Sequence, residues 1–325
     1  MSIRPNDGKS YKLAELIDYY EICNRAEGKR PKTLSWYSAN LRSFDLYLRS
    51  RHIPDETDNI DIRLLREYVL YLFKRNCYQD HPYTPVKPRP LSSTTVHGHV
   101  RTLRAFFTWL AEEEFVQENP AIGLKLPKLE HKVITILSDE EIRTIIGTFN
   151  PKQPSDARNQ AIFMLLLDTG LRIGETIGLK MDDLHLSEGI IKVMGKGRKE
   201  RFVPIGNNSQ KVIQRYLFRY RPKLANQDIE YVFLSSSGKA ITENVAKLMF
   251  ARLARRSGVK RLHAHLCRHT FATKFLINGG DVFTLQQILG HSTLEMVRHY
   301  VNLASNHVVL QHRRFSPVDR LNLRK

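Results

Sequence analysis

Fourteen residues near the middle of the chain, NPAIGLKLPKLEHK from 119 to 132, interrupt the patterns that run up to them. Pro120, Gly123 and Pro127 lie too close together for a helix or strand to pass through. The residues before them are helical in period and those after them are mixed, so the 325 residues are expected to fold around two cores rather than one. A helical domain is expected at 1–125, a linker at 126–132 and a second domain at 133–325, whose tail begins at about 303.

In the first part, Leu13, Leu16, Ile17 and Tyr20 recur at helical spacing over 11–27, and Gly28 comes next as a stop. A second stripe, Leu34, Tyr37, Leu41, Phe44 and Leu48, fills 32–51, and a third, Leu64, Leu65, Tyr68, Leu72 and Phe73, fills 61–77. Four prolines between 79 and 90 predict an extended loop. Ser92 or Ser93 then caps a long helix through Val100, Leu103, Phe106, Phe107 and Leu110 to about Phe115. Four helices with short connections predict a compact bundle. Arg42 and Arg49 on the second helix, with Arg101 and Arg104 on the fourth, suit phosphate contacts along a groove.

The second part is built differently. Ser138 and Glu141 form a capping box for a helix through Ile142, Ile145 and Ile146. Asn159 to Asp168 reads as a buried helix, which Thr169-Gly170-Leu171-Arg172 breaks, delivering an arginine to the start of the next helix. Gly189–Val193 and Arg201–Ile205 are β-type runs joined by GKGRKE, a basic hairpin turn with Lys196 at its tip and Arg198 and Lys199 beside it. Helices are expected at Lys211–Tyr220 and Val245–Arg256, the second with Lys247, Arg252, Arg255 and Arg256 on its polar sides. Charge separates the two parts as sharply as pattern does. Residues 1–130 carry 20 Lys and Arg against 17 Asp and Glu, whereas 131–325 carry 31 against 16, so the second domain is the one expected to meet a polyanion.

Chemistry concentrates between His263 and Val301. His265 and Arg268, three residues apart, share a helical face. Gly279-Gly280 ends that helix, Gly290 ends the next, and His291 comes at once after it. Ser292 with Glu295 predicts a second capping box, so that helix is expected from Thr293 with Tyr300 two turns in. Arginines can fork onto the nonbridging oxygens of a phosphodiester, histidines can hydrogen-bond or shuttle protons, and a lysine can protonate a leaving alkoxide. A tyrosine with an ordinary pKa near 10 needs such a setting to attack phosphorus. No carboxylate cluster accompanies these groups, so no metal is called for. His263, His265, Cys267 and His269 alternate in a way that could suggest zinc, but only His265 and His269 share a helical face, and His269 is read as structural.

The order Arg172, Lys196, His265-x-x-Arg268, His291, Tyr300, carried in TGLRIGE, HLCRHTFAT and LGHSTLEMVRHY, resembles the tyrosine recombinase (phage integrase) family, of the Xer-like or transposon-integrase type. The resemblance covers essentially the whole chain. It implies a mostly α fold with a small β-sheet in the C-terminal domain: a four-helix, SAM-like core-binding domain followed by an α+β catalytic domain. It further implies that Arg172 and Arg268 clamp the scissile phosphate, Lys196 acts as general acid toward the 5′ oxygen, His265 assists proton transfer, His291 hydrogen-bonds the phosphate and Tyr300 forms a 3′-phosphotyrosyl bond. Glu175 is read as orienting Arg172. Bond energy is kept in the covalent intermediate, so no cofactor, ATP or metal is implied. Double-stranded DNA is the implied partner, with four protomers on two sites and the tail in protomer contacts. Met296, Val297 and His299 stand where some members carry threonines and an apolar residue, which blurs the subfamily and leaves the six roles alone. Two alternatives are a type IB topoisomerase, which shares this chemistry, and a catalytically silent DNA-binding protein on an integrase fold, which the intact set of six argues against. Three scattered cysteines, an N-terminus without an apolar core and a longest apolar run of only Ala161–Leu167 predict a cytoplasmic protein without membrane attachment.

Overall fold

The computed structural model describes residues 10–79, 83–129, 135–195, 199–221, 229–303, 312–313 and 315–318. The chain divides into two compact units, 1–132 and 133–325. Among the described residues no helix is long and apolar enough to cross a membrane.

Among the described residues, four α-helices make up most of the first unit: α1 (Leu13–Ala26), α2 (Pro31–Ser50), α3 (Ile62–Lys74) and α4 (Ser93–Glu112). Their starts are local chemistry. Asp61 accepts from the Leu64 N–H and Ser92 from the Thr95 N–H, while Pro31 opens α2 with its φ already set. The apolar stripes meet in a core of Leu16, Phe44, Leu48, Leu65, Tyr68, Leu103, Phe106 and Phe107, each at most 1% exposed. His99 of α4 is buried against Tyr68, its Nδ1 3.3 Å from the phenol oxygen. The expected loop over 79–90 is only partly a loop. Lys87–Pro90 (β2) pairs antiparallel with Asn76–Cys77 (β1), a ladder short and irregular enough to tolerate two prolines on an exposed edge. This ladder also ends α3 at Lys74, three residues short of the end that the apolar stripe predicts.

The second unit opens with α5 (Asp139–Gly147), whose Ser138/Glu141 capping box is fully formed. Next comes α6 (Pro154–Thr169), which begins five residues before Asn159 because Pro154 serves as its first residue. After the short α7 (Ile173–Ile177), three strands form an antiparallel sheet, β3 (Leu184–His185), β4 (Ile190–Met194) and β5 (Glu200–Pro204), in that order. β3 has too few residues to show a period. Helices α8 (Asn207–Arg219), α9 (Glu243–Ser257), α10 (Ala264–Ile277) and α11 (Val282–Leu289) complete the body, and α12 (Glu295–Leu303) comes last. α12 starts two residues later than a capping box at Ser292 predicts, with the Leu294 carbonyl accepting from Val297 and Arg298. The main core gathers Phe163, Leu166, Ile191, Val203, Tyr216, Phe233, Phe250, Leu266 and Cys267 from the sheet, from α6, α8, α9 and α10, and from the segment between α8 and α9. A smaller cluster, Ala272, Leu276, Leu285, Leu289, Val297 and Tyr300, joins α10, α11 and α12.

Candidate active site

Five of the six sequence-predicted residues line one cleft of about 520 Å³: Arg172, His265, Arg268, His291 and Tyr300, with Thr293, Glu295 and Met296. The sixth, Lys196, and its neighbour Arg198 lie outside the described residues, as do 304–311, 314 and 319–325 of the tail. β4 and β5 form the expected hairpin up to Gly195 and Lys199, whose N–H and C=O pair at 2.8 Å.

Arg268 is the centre of the site and is 1% exposed. A guanidinium so withdrawn from water needs acceptors, and it receives them from two helix ends. It donates to the Gly170 carbonyl at 2.6 Å and the Leu289 carbonyl at 2.9 Å. Gly170 ends α6 and Gly290 ends α11, both left-handed at φ 62° and 64°, so each chain turns aside where its last carbonyls are still unpaired. Those carbonyls carry the negative ends of the two helix dipoles. Burial still draws the Arg268 pKa down to about 10, helped by the charge of Arg172, which leaves it a cation at neutral pH. A third bond ties it to His291 Nε2 at 2.7 Å. With Nε2 accepting, the ring proton sits on Nδ1, which has no protein partner among the described residues. Burial and the Arg268, Arg172 and Arg201 charges hold the His291 pKa near 4, so the ring is neutral at pH 7.

Arg172 precedes α7 and its side chain stays 41% exposed, facing the cleft. Glu175, one turn on, accepts from the Arg172 backbone N–H at 2.9 Å and from its guanidinium at 3.0 Å. The same carboxylate is gripped by Arg201 of β5 at 3.2 and 2.9 Å, and Arg201 Nε donates to the Ile288 carbonyl at 3.0 Å. Burial pushes the Glu175 carboxyl upward, but the Arg201 and Arg172 bonds outweigh it and hold its pKa below the usual value. The sequence alone points to Glu175 and not to Arg201, which looks there like an ordinary strand residue beside a basic turn.

His265 is exposed at the cleft, its pKa lowered by partial burial and by the charges of Arg268, His263 and Arg172. Tyr300, the sixth residue of α12, is 4% exposed. Burial raises its pKa and the Arg268 and Arg172 cations oppose the rise. His269, read from sequence as structural, proves to touch it: Nδ1 lies 3.0 Å from the Tyr300 hydroxyl. The zinc alternative finds no geometry, since Cys267 is fully buried in the main core and no metal-binding group of three occurs among the described residues.

The remaining basic candidates are on the surface. Arg101 and Arg104 are exposed on α4; Arg42 reaches Asp18 at 3.6 Å, and Arg49 is braced by Asp45 at 3.0 Å. Lys199, Arg252 and Arg255 are exposed in the second unit. Arg255 also lines a groove of about 980 Å³ with Lys247, Lys260 and His263, which runs up to His265. Arg256, by contrast, is a fastening between helices, donating to both Asp156 oxygens at 2.9 and 2.8 Å and to the Thr148 carbonyl.

A buried arginine, a partly exposed arginine, two histidines and a tyrosine surround one cleft, a set of groups whose chemistry suits a phosphodiester. Residues 135–307 match the phage integrase family and residues 15–125 the phage integrase SAM-like domain. The chain belongs to the phage integrase family, the tyrosine recombinases, and is a site-specific recombinase. It is 32% identical over 275 residues to tyrosine recombinase XerC of Staphylococcus saprophyticus, covering 84% of this chain and 87% of that one. It is 31% identical over 309 residues to tyrosine recombinase XerD of Listeria innocua, covering 94% and 99%. In fold it is similar to the XerH site-specific recombinase bound to a palindromic difH substrate in a post-cleavage complex, with a TM-score of 0.70, 20% identity and coverage of 95% and 85%.

Proposed function

We propose that this recombinase binds double-stranded DNA and exchanges strands through a covalent bond between Tyr300 and the 3′ phosphate. The observation that carries the reading is the convergence of Arg172, His265, Arg268, His291 and Tyr300 on one cleft from four separate elements. In this reading Arg172 and Arg268 hold the nonbridging oxygens, and the Nδ1–H of His291 donates to one of them. Tyr300 Oη attacks phosphorus and the 5′ oxygen leaves with a proton from Lys196. His265, at the open side, assists proton transfer at the reacting phosphate. A free 5′ hydroxyl from the partner duplex then attacks the phosphotyrosine, and two such exchanges make and resolve a Holliday junction.

The helical unit, 1–125, serves as the second DNA-binding arm through Arg42, Arg49, Arg101 and Arg104, joined by the 126–132 linker to the catalytic domain, 133–325. There Arg198, Lys199, Arg252 and Arg255 extend the basic surface. The tail, about 303–325, joins protomers into a tetramer on two DNA sites, a role supported by the exposed apolar side chains of Phe315 and Val318. Cytoplasmic action on a mobile element or on chromosome dimers fits this chemistry. The relatives named above are themselves recombinases, which favours this reading over a topoisomerase or a silent DNA-binding protein.

The test is a nicked suicide duplex carrying the sequence recovered by selecting bound fragments from a random duplex pool. The wild-type chain is expected to form a denaturation-resistant protein–DNA adduct and Tyr300→Phe none. An adduct of equal yield with Tyr300→Phe would remove the tyrosine from its assigned role.

A further inference from the structure

His269 stands one turn beyond His265 on α10, the two rings edge to face with centroids 4.2 Å apart. On its other side it meets Tyr300, with ring centroids 5.6 Å apart and the Nδ1 to Oη distance of 3.0 Å that defines a hydrogen bond. Burial, then the neighbouring His265, His263 and Arg268, keeps the His269 pKa near 4, so the imidazole is neutral at pH 7 and one of its nitrogens is an acceptor. In the tautomer that carries the ring proton on Nε2, Nδ1 accepts and the phenol donates. Tyr300 itself is held in place by packing with Ala272, Leu276, Leu285, Leu289 and Val297, so its hydroxyl meets the imidazole from a fixed direction.

We propose that His269 acts on the nucleophile, its Nδ1 orienting the Tyr300 hydroxyl and taking its proton as Oη attacks phosphorus. This rests on Tyr300 being the attacking group. In the step, the Oη–P bond forms and the P–O5′ bond breaks. The phenol proton moves to His269 Nδ1, giving an imidazolium, and the 5′ oxygen takes a proton from Lys196. Rejoining runs the same transfers backward. Burial and the neighbouring histidines weaken the ring as a base, and Arg268 adds to this; the negative charge of a bound phosphodiester offsets that cation and so raises the ring's basicity when the transfer occurs. His265 and His269 then divide the work, the exposed ring on the phosphate side and the half-buried ring on the tyrosine.

The test uses the full chain on the suicide duplex in two forms, one ordinary and one with sulfur replacing the scissile 5′ oxygen. A thiolate leaves without an acid, but the tyrosine must still lose its proton. His269→Ala is expected to cleave about 10²-fold to 10³-fold more slowly on both substrates, in the range of a lost general base, with DNA binding in a gel shift unchanged. His269→Asn, whose amide oxygen can accept the phenol hydrogen bond but cannot take the proton, is expected to be slow on both as well, and it decides the matter if the alanine variant folds poorly. Cleavage of either variant at the wild-type rate, or recovery of that rate on the sulfur substrate, would overturn the proposal. Wild-type protein that forms no adduct overturns the reading of Tyr300 beneath it. An adduct with wild type and an equal rate with His269→Asn overturns the role of His269 alone.

Discussion

Replacing Arg201 with methionine tests whether Arg172 is held by a network that reaches across the domain. The Glu175 carboxylate receives four hydrogen bonds, two from Arg172 and two from Arg201, and the Glu175 and Arg201 side chains are only 9% and 13% exposed. Removing one member of a buried ion pair usually destabilises by about 3–5 kcal/mol, because the other charge is left in place without water. Arg172 still supplies half of the partners, which points to the low end; the Ile288 carbonyl also loses its donor, adding on the order of 1 kcal/mol. The expected loss is about 3–4 kcal/mol. Arg261, which grips Glu141 in the same forked geometry at 2.6 and 2.7 Å, provides the contrast, since that pair is 41% and 28% exposed. Exposed pairs contribute about 0–1 kcal/mol, so Arg261→Met should change little. Both tryptophans, Trp36 and Trp109, belong to the first unit, so hydrogen exchange of α7 and α11 rather than fluorescence is the assay. Adding Glu175→Gln to Arg201→Met should recover about 1 kcal/mol or more, because it removes the stranded charge. Equal losses for Arg201→Met and Arg261→Met, or strict additivity with Glu175→Gln, would refute the reasoning.

The glycine behind α6 gives a second check. An added Cβ at Gly170 would sit 2.4 Å from Phe271 and 2.8 Å from Leu289 on a backbone of φ 62°, whereas at Gly258, φ 73°, it would meet nothing. Gly258→Ala should therefore lose about 1 kcal/mol and keep its cleavage rate, while Gly170→Ala should lose more than about 2 kcal/mol in thermal unfolding and cleave more slowly, because the carbonyl that holds Arg268 must move. In the first unit, burial and the Arg75 charge lower the His99 pKa to about 4 from an ordinary 6.5. The unfolded chain then binds the proton more readily than the folded one, so stability is complete above about pH 6.5 and falls by roughly 3 kcal/mol as pH approaches 4. Tryptophan-monitored unfolding should show this slope, and His99→Gln should flatten it.

The sequence makes legible whatever neighbouring residues determine among themselves. The Ser138/Glu141 box, the Ser92 cap and the glycines after α6 and α11 act over two to four residues, so their outcome is a matter of local chemistry. The order of the site residues is legible for a similar reason, because Arg172 and His291 come just after glycine stops and His265 and Arg268 share one helical face. Arg201 and His269 are not, since their partners lie 26 and 31 residues away and nothing beside either residue signals a partner. His269 is further disguised by His263, His265 and Cys267, whose alternation suggests metal binding rather than a hydrogen bond to a tyrosine. The β1 and β2 ladder is hidden for another reason: two prolines in four residues argue against a strand, and only an exposed, irregular edge makes them acceptable.

The two halves of the site are anchored unequally, and this bears on how the enzyme is organised. Arg268 and the segment carrying Arg172 sit on α6, α7 and α10, which share the main core with the sheet, α8 and α9. The acceptors of Arg268 are backbone carbonyls at the ends of two helices, so its position is as rigid as those helices. Tyr300 belongs instead to the small cluster, to which α12 contributes Val297 and Tyr300 as buried side chains. Among the described side chains Val301 of α12 also packs against this cluster, partly buried. Arg268 is thus held by helix ends, while Tyr300 is held by this smaller cluster and by the His269 hydrogen bond. A single hydrogen bond adds about 1 kcal/mol to such an attachment. It matters less for holding the helix than for aiming the hydroxyl, because packing can fix a ring without fixing where its proton goes.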